Sequence, residues 1–188
     1  MAIRNVLCDG DETLRKISKP VVDFDERLWI LLDDMRETMN KKEGAGLAAV
    51  QVGVLKRVFV MHAGKEYREC INPKIIKQEG ENKIKIEGCL SVPGKCGYVE
   101  RPEKVWVEYQ DRTGAKVSKK FVGFEAKCFC HESDHLDGIL YIDKATKMFN
   151  DRDEYNRKKS DYDMENNAEY KKSRKKSSSN KTNKMEEN

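Results

Sequence analysis

Cys130 to Gly138 reads CHESDHLDG and holds two of the protein's three histidines. Residues four apart share one face of a helix, so His131 and His135 project together, with Glu132 turned about 100° from the first of them. Two imidazoles facing one way suit a divalent metal that holds a water. A carboxylate beside them can move that water's proton without being a ligand itself. A solvated surface helix would carry similar residues in a chain this rich in charge, so the motif needs support from elsewhere. The first support it needs is a further ligand, because catalytic sites of this kind hold three protein ligands and leave one position open.

Several parts of the chain could supply that ligand. A histidine six residues after His135 would fit a metzincin-like protease, and Gly138 matches that pattern, but the ligand position is Tyr141. A glutamate from a second helix, as in thermolysin-like proteases, is available as Glu154, although little chain follows the motif with which to build a peptide cleft. Cysteine is the other choice. Cys128 shares the helical face but sits a turn away, and Cys89 follows a strand pattern in EGCLS, next to Gly88.

The elements around these residues follow from periodicity. Asp23 or Asp25 can cap a helix in which Leu28, Leu31, Leu32, Met35 and Met39 fall at helical spacing, ending near Asn40. Gly44 to Gly53, GAGLAAVQVG, is small and flexible, with Gln51 its single polar side chain. Strand patterns run over Arg57–His62, Cys70–Lys77, Asn82–Glu87, Lys104–Tyr109 and Lys116–Val122, the last two joined by the turn DRTG. A central helix is expected over Phe124–Leu136, stopping at Gly138, and a C-terminal helix over Asp143–Lys159. The fold class is therefore α+β, with small antiparallel or mixed sheets around the helix that carries HExxH. His62 reads as structural or surface.

Composition sets the outer bounds. At 188 residues, 37% charged and 38% hydrophobic, the chain has room for one core, and no apolar run reaches the roughly 20 residues of a membrane span. Its N-terminus is charged from Arg4 and lacks a secretory or transit pattern, which places it in the cytoplasm. Six cysteines without a CxxC pair are expected to stay reduced. Residues 1–160 are expected to form the catalytic domain and 161–188 a basic, low-complexity, disordered tail. From Lys171 to Lys184 the tail has seven basic residues and no acidic one.

GAGLAAVQ, EGCLS and HESDHLDG, in that order, resemble the three signature motifs of peptide deformylases. MAIRNV, LRKISKPV, INPKII, the RPEKVWVEYQDRTG hairpin and GFEAKCFCHE are also similar to that family, so the likeness covers roughly residues 1 to 150. The resemblance implies that Cys89, His131 and His135 ligate the metal, with iron(II) the physiological ion and zinc, nickel or cobalt able to replace it. It implies Glu132 as general base and later acid, with the Gln51 amide and the Leu90 N–H steadying the oxyanion. Gly46 would let the substrate backbone approach, and Ala45, Gly88, Phe124 and Cys128 would bind substrate, an N-formylmethionyl nascent peptide that loses formate. Lys127 would lay its stem along the rim with its charge in water. Two departures stand in the third motif. Cys130 replaces a frequent glutamine and reads as a small buried side chain, and Ser133 replaces an apolar residue and faces away from the ligands. The C-terminal helix and basic tail suit electrostatic contact with the ribosome, and a tail that aids only solubility is the equal alternative.

Overall fold

The structure, a computed structural model, describes residues 2–150. The chain divides into two units, Met1–Met148 and Phe149–Asn188, and among the described residues the elements lie in the first, except that the last strand ends one residue past the boundary, at Phe149. The elements in order are α1 (Glu26–Lys41), β1 (Gly46–Ala48), β2 (Val58–Met61), β3 (Arg68–Cys89), β4 (Val92–Gln110), β5 (Lys116–Val122), α2 (Phe124–Leu136) and β6 (Lys147–Phe149), with short 3-10 turns between. The class is α+β as expected, and the strands form one six-stranded sheet that runs β1-β2-β3-β4-β5, with β6 pairing β4. Every neighbouring pair along that path is antiparallel.

Two helices cover opposite faces of the same three strands. Side chains alternate along a strand, so one face of β1, β2 and β3 presents Leu47, Val58, Val60 and Ile71 to α1, while the other presents Ala48, Phe59, Met61 and Cys70 to α2. With both faces covered, VFVM in β2 is buried at every position, which is why it reads as a continuous apolar run. Leu28, Leu31, Leu32, Met35 and Met39 of α1 are all buried, and Asp25 is the residue that caps it, accepting from the Leu28 N–H at 3.0 Å. On the other side Phe129 of α2 meets Phe59 edge-on at 5.1 Å and Phe121 at 5.6 Å.

Three expectations about the elements are corrected. The strands expected at Cys70–Lys77 and Asn82–Glu87 are one strand, β3, bent by register shifts after Ile75 and Glu79, with Gly80 at φ +85°. Its partner β4 begins at Val92, well before Lys104, so the pair makes a long hairpin that returns at Leu90–Ser91. The helix expected from Asp143 does not form within the described residues. Tyr141–Asp143 is a 3-10 turn, and the Thr146 N–H donates to the Tyr98 carbonyl at 2.8 Å, tying this segment to β4 as it enters β6. There the open hydrogen-bonding edge of β4 overrides local helix preference. The remainder of that helix, the boundary at 160 and Glu154 lie outside the described residues. Among the described residues no helix is long and apolar enough to cross a membrane.

Candidate metal centre

The three motifs meet at the joint between the β3–β4 hairpin and α2. Cys89 is the last residue of β3, and His131 and His135 rise from the middle of α2. One ligating atom from each of the three lies within 4.8 Å of the others, and Cys89 Sγ is 3.2 Å from His135 Nε2. A thiolate and two imidazoles converging so closely, with both histidines buried, form a donor set for a divalent transition metal. The tautomer of His131 follows from its neighbour. Its Nδ1 sits 2.8 Å from Glu87 Oε2, a buried carboxylate that can only accept, so Nδ1 carries the proton and Nε2 keeps its lone pair.

Gln51 enters from the 3-10 turn at Ala49–Val52. Its Oε1 accepts from the Ala48 N–H at 2.8 Å, which forces the amide NH₂ to face the other way. That NH₂ donates to Ser91 Oγ at 3.0 Å and lies 3.4 Å from Cys89 Sγ. Glu132 is buried, and its Oε2 has no hydrogen-bond partner in the protein. Burial raises its pKa to about 7, with the buried Glu87 charge adding to the shift and the Arg101 guanidinium opposing it. A carboxylate balanced there can both take and return a proton near neutral pH.

The bare α-carbons of the first motif explain its composition. A Cβ at Gly46 would run into the Glu132 carboxylate, and one at Gly44 would stand 2.8 Å from Leu90 Cδ1. The first of these glycines therefore makes room for the protein's own glutamate, where the resemblance implies room for substrate backbone. Cys128 is buried, its thiol 3.5 Å from the Ala45 carbonyl, so these two expected substrate contacts touch each other. Gly88 is exposed on β3 and Phe124 is half exposed at the start of α2. Lys127 differs from expectation: its ammonium is not left to water but donates to the Ile86 carbonyl at 2.9 Å and lies 4.6 Å from the centre of the Phe124 ring. Cys130 is a small buried side chain as expected, His62 is exposed, and all six cysteines are free thiols.

The groups behind the ligands escape a reading of the sequence. Arg101 is buried and grips Glu87 with two bonds, 2.7 Å to Oε1 and 2.9 Å to Oε2. Its third nitrogen reaches Asp134 Oδ2 at 2.6 Å, and Lys144 holds the other oxygen of Asp134 at 2.7 Å. The Glu87 pKa is held at about 2: burial alone would raise it, and the hydrogen bonds from Arg101 and His131 more than offset that. Tyr141 stacks on His131 with ring centres 6.1 Å apart. Strand alternation offers a signal for Glu87, which shares a face with Cys89 two residues on. Arg101 offers none, since a buried arginine in a charged hairpin looks like a surface one.

A central helix bearing two histidines and a glutamate, completed by a cysteine from a strand of an α+β fold, defines a metal-dependent hydrolase. Residues 3–151 match the family model described as polypeptide deformylase. A peptide deformylase of Acetivibrio thermocellus is 54% identical over 159 residues, 85% of this chain and 92% of that protein. One of Finegoldia magna is 49% identical over 150 residues, 79% of this chain and 93% of that protein. The crystal structure of the peptide deformylase from Thermotoga maritima superposes with a TM-score of 0.77 at 40% identity, covering 78% of this chain and 100% of that one. The chain belongs to the polypeptide deformylase family.

Proposed function

We propose that Cys89, His131 and His135 hold one divalent metal, that Glu132 is the acid–base group, and that Gln51 and the Leu90 N–H bind the developing oxyanion. The reaction is hydrolytic removal of the formyl group from the N-terminal formylmethionine of newly made polypeptides. Water adds to the formamide carbon, the C–N bond breaks, and formate and a free amine leave. When bound, the ion supplies Lewis acidity and lowers the pKa of a coordinated water toward about 7.

The protein's own groups do the rest. Glu132 takes the water's proton on Oε2, the oxygen with no other partner, and delivers it to the amine nitrogen as the C–N bond opens. Gln51 Nε2 already stands beside the Cys89 sulfur, and one of its two N–H bonds turns from Sγ or Ser91 Oγ to the formyl oxygen as that oxygen acquires charge. Glu87, held by Arg101, keeps His131 in the tautomer that leaves Nε2 free. Ala45, Gly88, Phe124 and Cys128 are the substrate-facing residues in this reading, with Gly46 acting through Glu132.

Iron(II) is our assignment for the physiological metal. The thiolate–imidazole donor set accepts it, and it accepts zinc, nickel and cobalt as well. We place the enzyme in the cytoplasm, where formylated chains emerge, and assign the basic segment Lys171–Lys184 to electrostatic contact with the ribosome. Residues 1–160 make the catalytic domain in this reading. The observation that carries the proposal is the convergence of Cys89 with both histidines beside an unpartnered Glu132 carboxylate oxygen. Anaerobic measurement of formate release from formyl-Met-Ala-Ser, with metal analysis of the same preparation, tests it. Formate release with one metal per chain is expected, and loss of that metal in Cys89→Ala. Formate release that survives Cys89→Ala with the metal still bound refutes the ligand assignment.

A further inference from the structure

Lys127 lies one turn before His131 on α2, half-buried, and its ammonium is committed to a carbonyl and a ring. The carbonyl belongs to Ile86, whose partner across the β3–β4 ladder is Tyr98. Tyr98 accepts on its far side from the Thr146 N–H. Opposed residues in an antiparallel pair either exchange both backbone bonds or turn both away. Ile86 and Tyr98 are of the second kind, so the Ile86 N–H and C=O face the outer edge of β3. β2 pairs with β3 only over Arg68–Ile71, so among the described residues no strand lies beside β3 from Ile84 to Gly88. This open edge runs directly into Cys89.

Lys127 thus caps an acceptor on a strand edge that leads to the metal centre. An ammonium has three donors, and Ile86 takes one of them. No carboxylate among the described residues is within ion-pair distance of it. Glu87 is held by Arg101 and His131, and Glu103 is held by Lys83 and Lys85. Burial holds the Lys127 pKa below the usual lysine range, with Lys85 and Arg101 adding to the shift and Glu87 opposing it. A carboxylate arriving here meets a cation with spare donors. It also draws Lys127 away from Ile86, which frees that carbonyl for a backbone N–H of the same peptide.

We infer that Lys127 determines specificity along the chain of the substrate, selecting an acidic side chain at the second or third residue of the formylated peptide. The inference rests on the deformylase reading of the metal centre. Its reach follows from the strand: Ile86 lies three residues from Cys89, about 10 Å at the rise of a β-strand. An extended peptide with its formyl carbon at the metal centre covers that distance with its second or third residue.

The test compares formyl-Met-Glu-Ser with formyl-Met-Lys-Ser, and formyl-Met-Ala-Glu with formyl-Met-Ala-Lys, on the metal-loaded enzyme. At low ionic strength the glutamate peptide of at least one pair is expected to be favoured by roughly 5–10-fold in kcat/KM, carried by KM with little change in kcat. The ratio should fall toward unity at about 0.5 M salt and in Lys127→Met, which keeps the stem, and it should invert in Lys127→Glu. Ratios near unity for both pairs in the parent enzyme overturn the inference, as does a preference that survives in Lys127→Met. The parent's own ratio and its salt dependence need no variant to fold. Formyl-Met-Ala-Ser run alongside separates the failures: turnover of it with flat ratios sinks only the role of Lys127, whereas no turnover sinks the deformylase reading as well.

Discussion

The two helices lie on opposite faces of the same strands and use burial for different ends. α1 buries five large apolar side chains and two polar ones, Asp34 and Thr38. Both are answered: Asp34 takes the Arg4 guanidinium at 3.0 Å and the Ala2 N–H at 2.6 Å, and Thr38 donates to the Asp34 carbonyl and accepts from the Arg4 N–H. α2 is three residues shorter and buries His131, Glu132 and His135 together, leaving Glu132 Oε2, Ser133 Oγ and His135 Nδ1 without partners in the protein, against the single atom Glu37 Oε2 in α1. Unanswered buried polar atoms destabilise a fold. The difference teaches that α1 is built to hold the sheet and α2 to hold reactive groups, so substitution should cost stability in the first and chemistry in the second.

The most severe effect is expected from Glu132→Gln. Loss of a proton-transferring group lowers kcat by about 10²–10⁴-fold or more. Thermal unfolding of the metal-loaded variant should be unchanged or slightly higher, since a neutral amide of the same shape replaces a carboxylate that burial already penalises when charged; a large fall in Tm would contradict the division between the helices. Arg101→Leu comes next, because it leaves Glu87 as a buried charge without its cation. A cost of about 3–5 kcal/mol in denaturant unfolding is expected, with metal affinity weakened about 10–100-fold as His131 loses its orienting partner. Leu32→Ala in α1 should cost about 2–5 kcal/mol and leave KM and kcat per folded molecule unaltered below the unfolding transition. A drop in kcat there would mean that α1 also shapes the metal centre. The smallest effect belongs to Ser133→Ala, which removes a buried hydroxyl with no partner. Stability should rise by about 1 kcal/mol with deformylation intact, measured by urea unfolding and formate release.

The same contrast explains what is legible before folding. The α1 face can be read because its apolar residues recur at the period of a helix and Asp25 sits where a cap belongs. α2 is placed by its motif and by Gly138, which adopts φ +74° and has the Arg15 backbone carbonyl against its α-carbon. β3 reads as two strands because Gly80 and the polar residues around it look like a turn. They are bulges, and only the pairing with β4 keeps the strand continuous through them. Lys127 reads as a free rim charge because the Ile86 carbonyl that receives it lies 41 residues away in sequence. Arg101 is hidden for the same reason, since its partners Glu87 and Asp134 come from two other elements.

Gly46 and Glu132 occupy one space: the hydrogen on the first is what leaves room for the carboxylate of the second. Side chains larger than hydrogen at residue 46 displace the group that moves the proton, so this position is closed to variation as long as the reaction must run. An inhibitor that draws its affinity from contact with the bare α-carbon of Gly46 therefore presses where the protein has no mutational escape, whereas one that leans on Phe124 or Lys127 at the rim leaves it many.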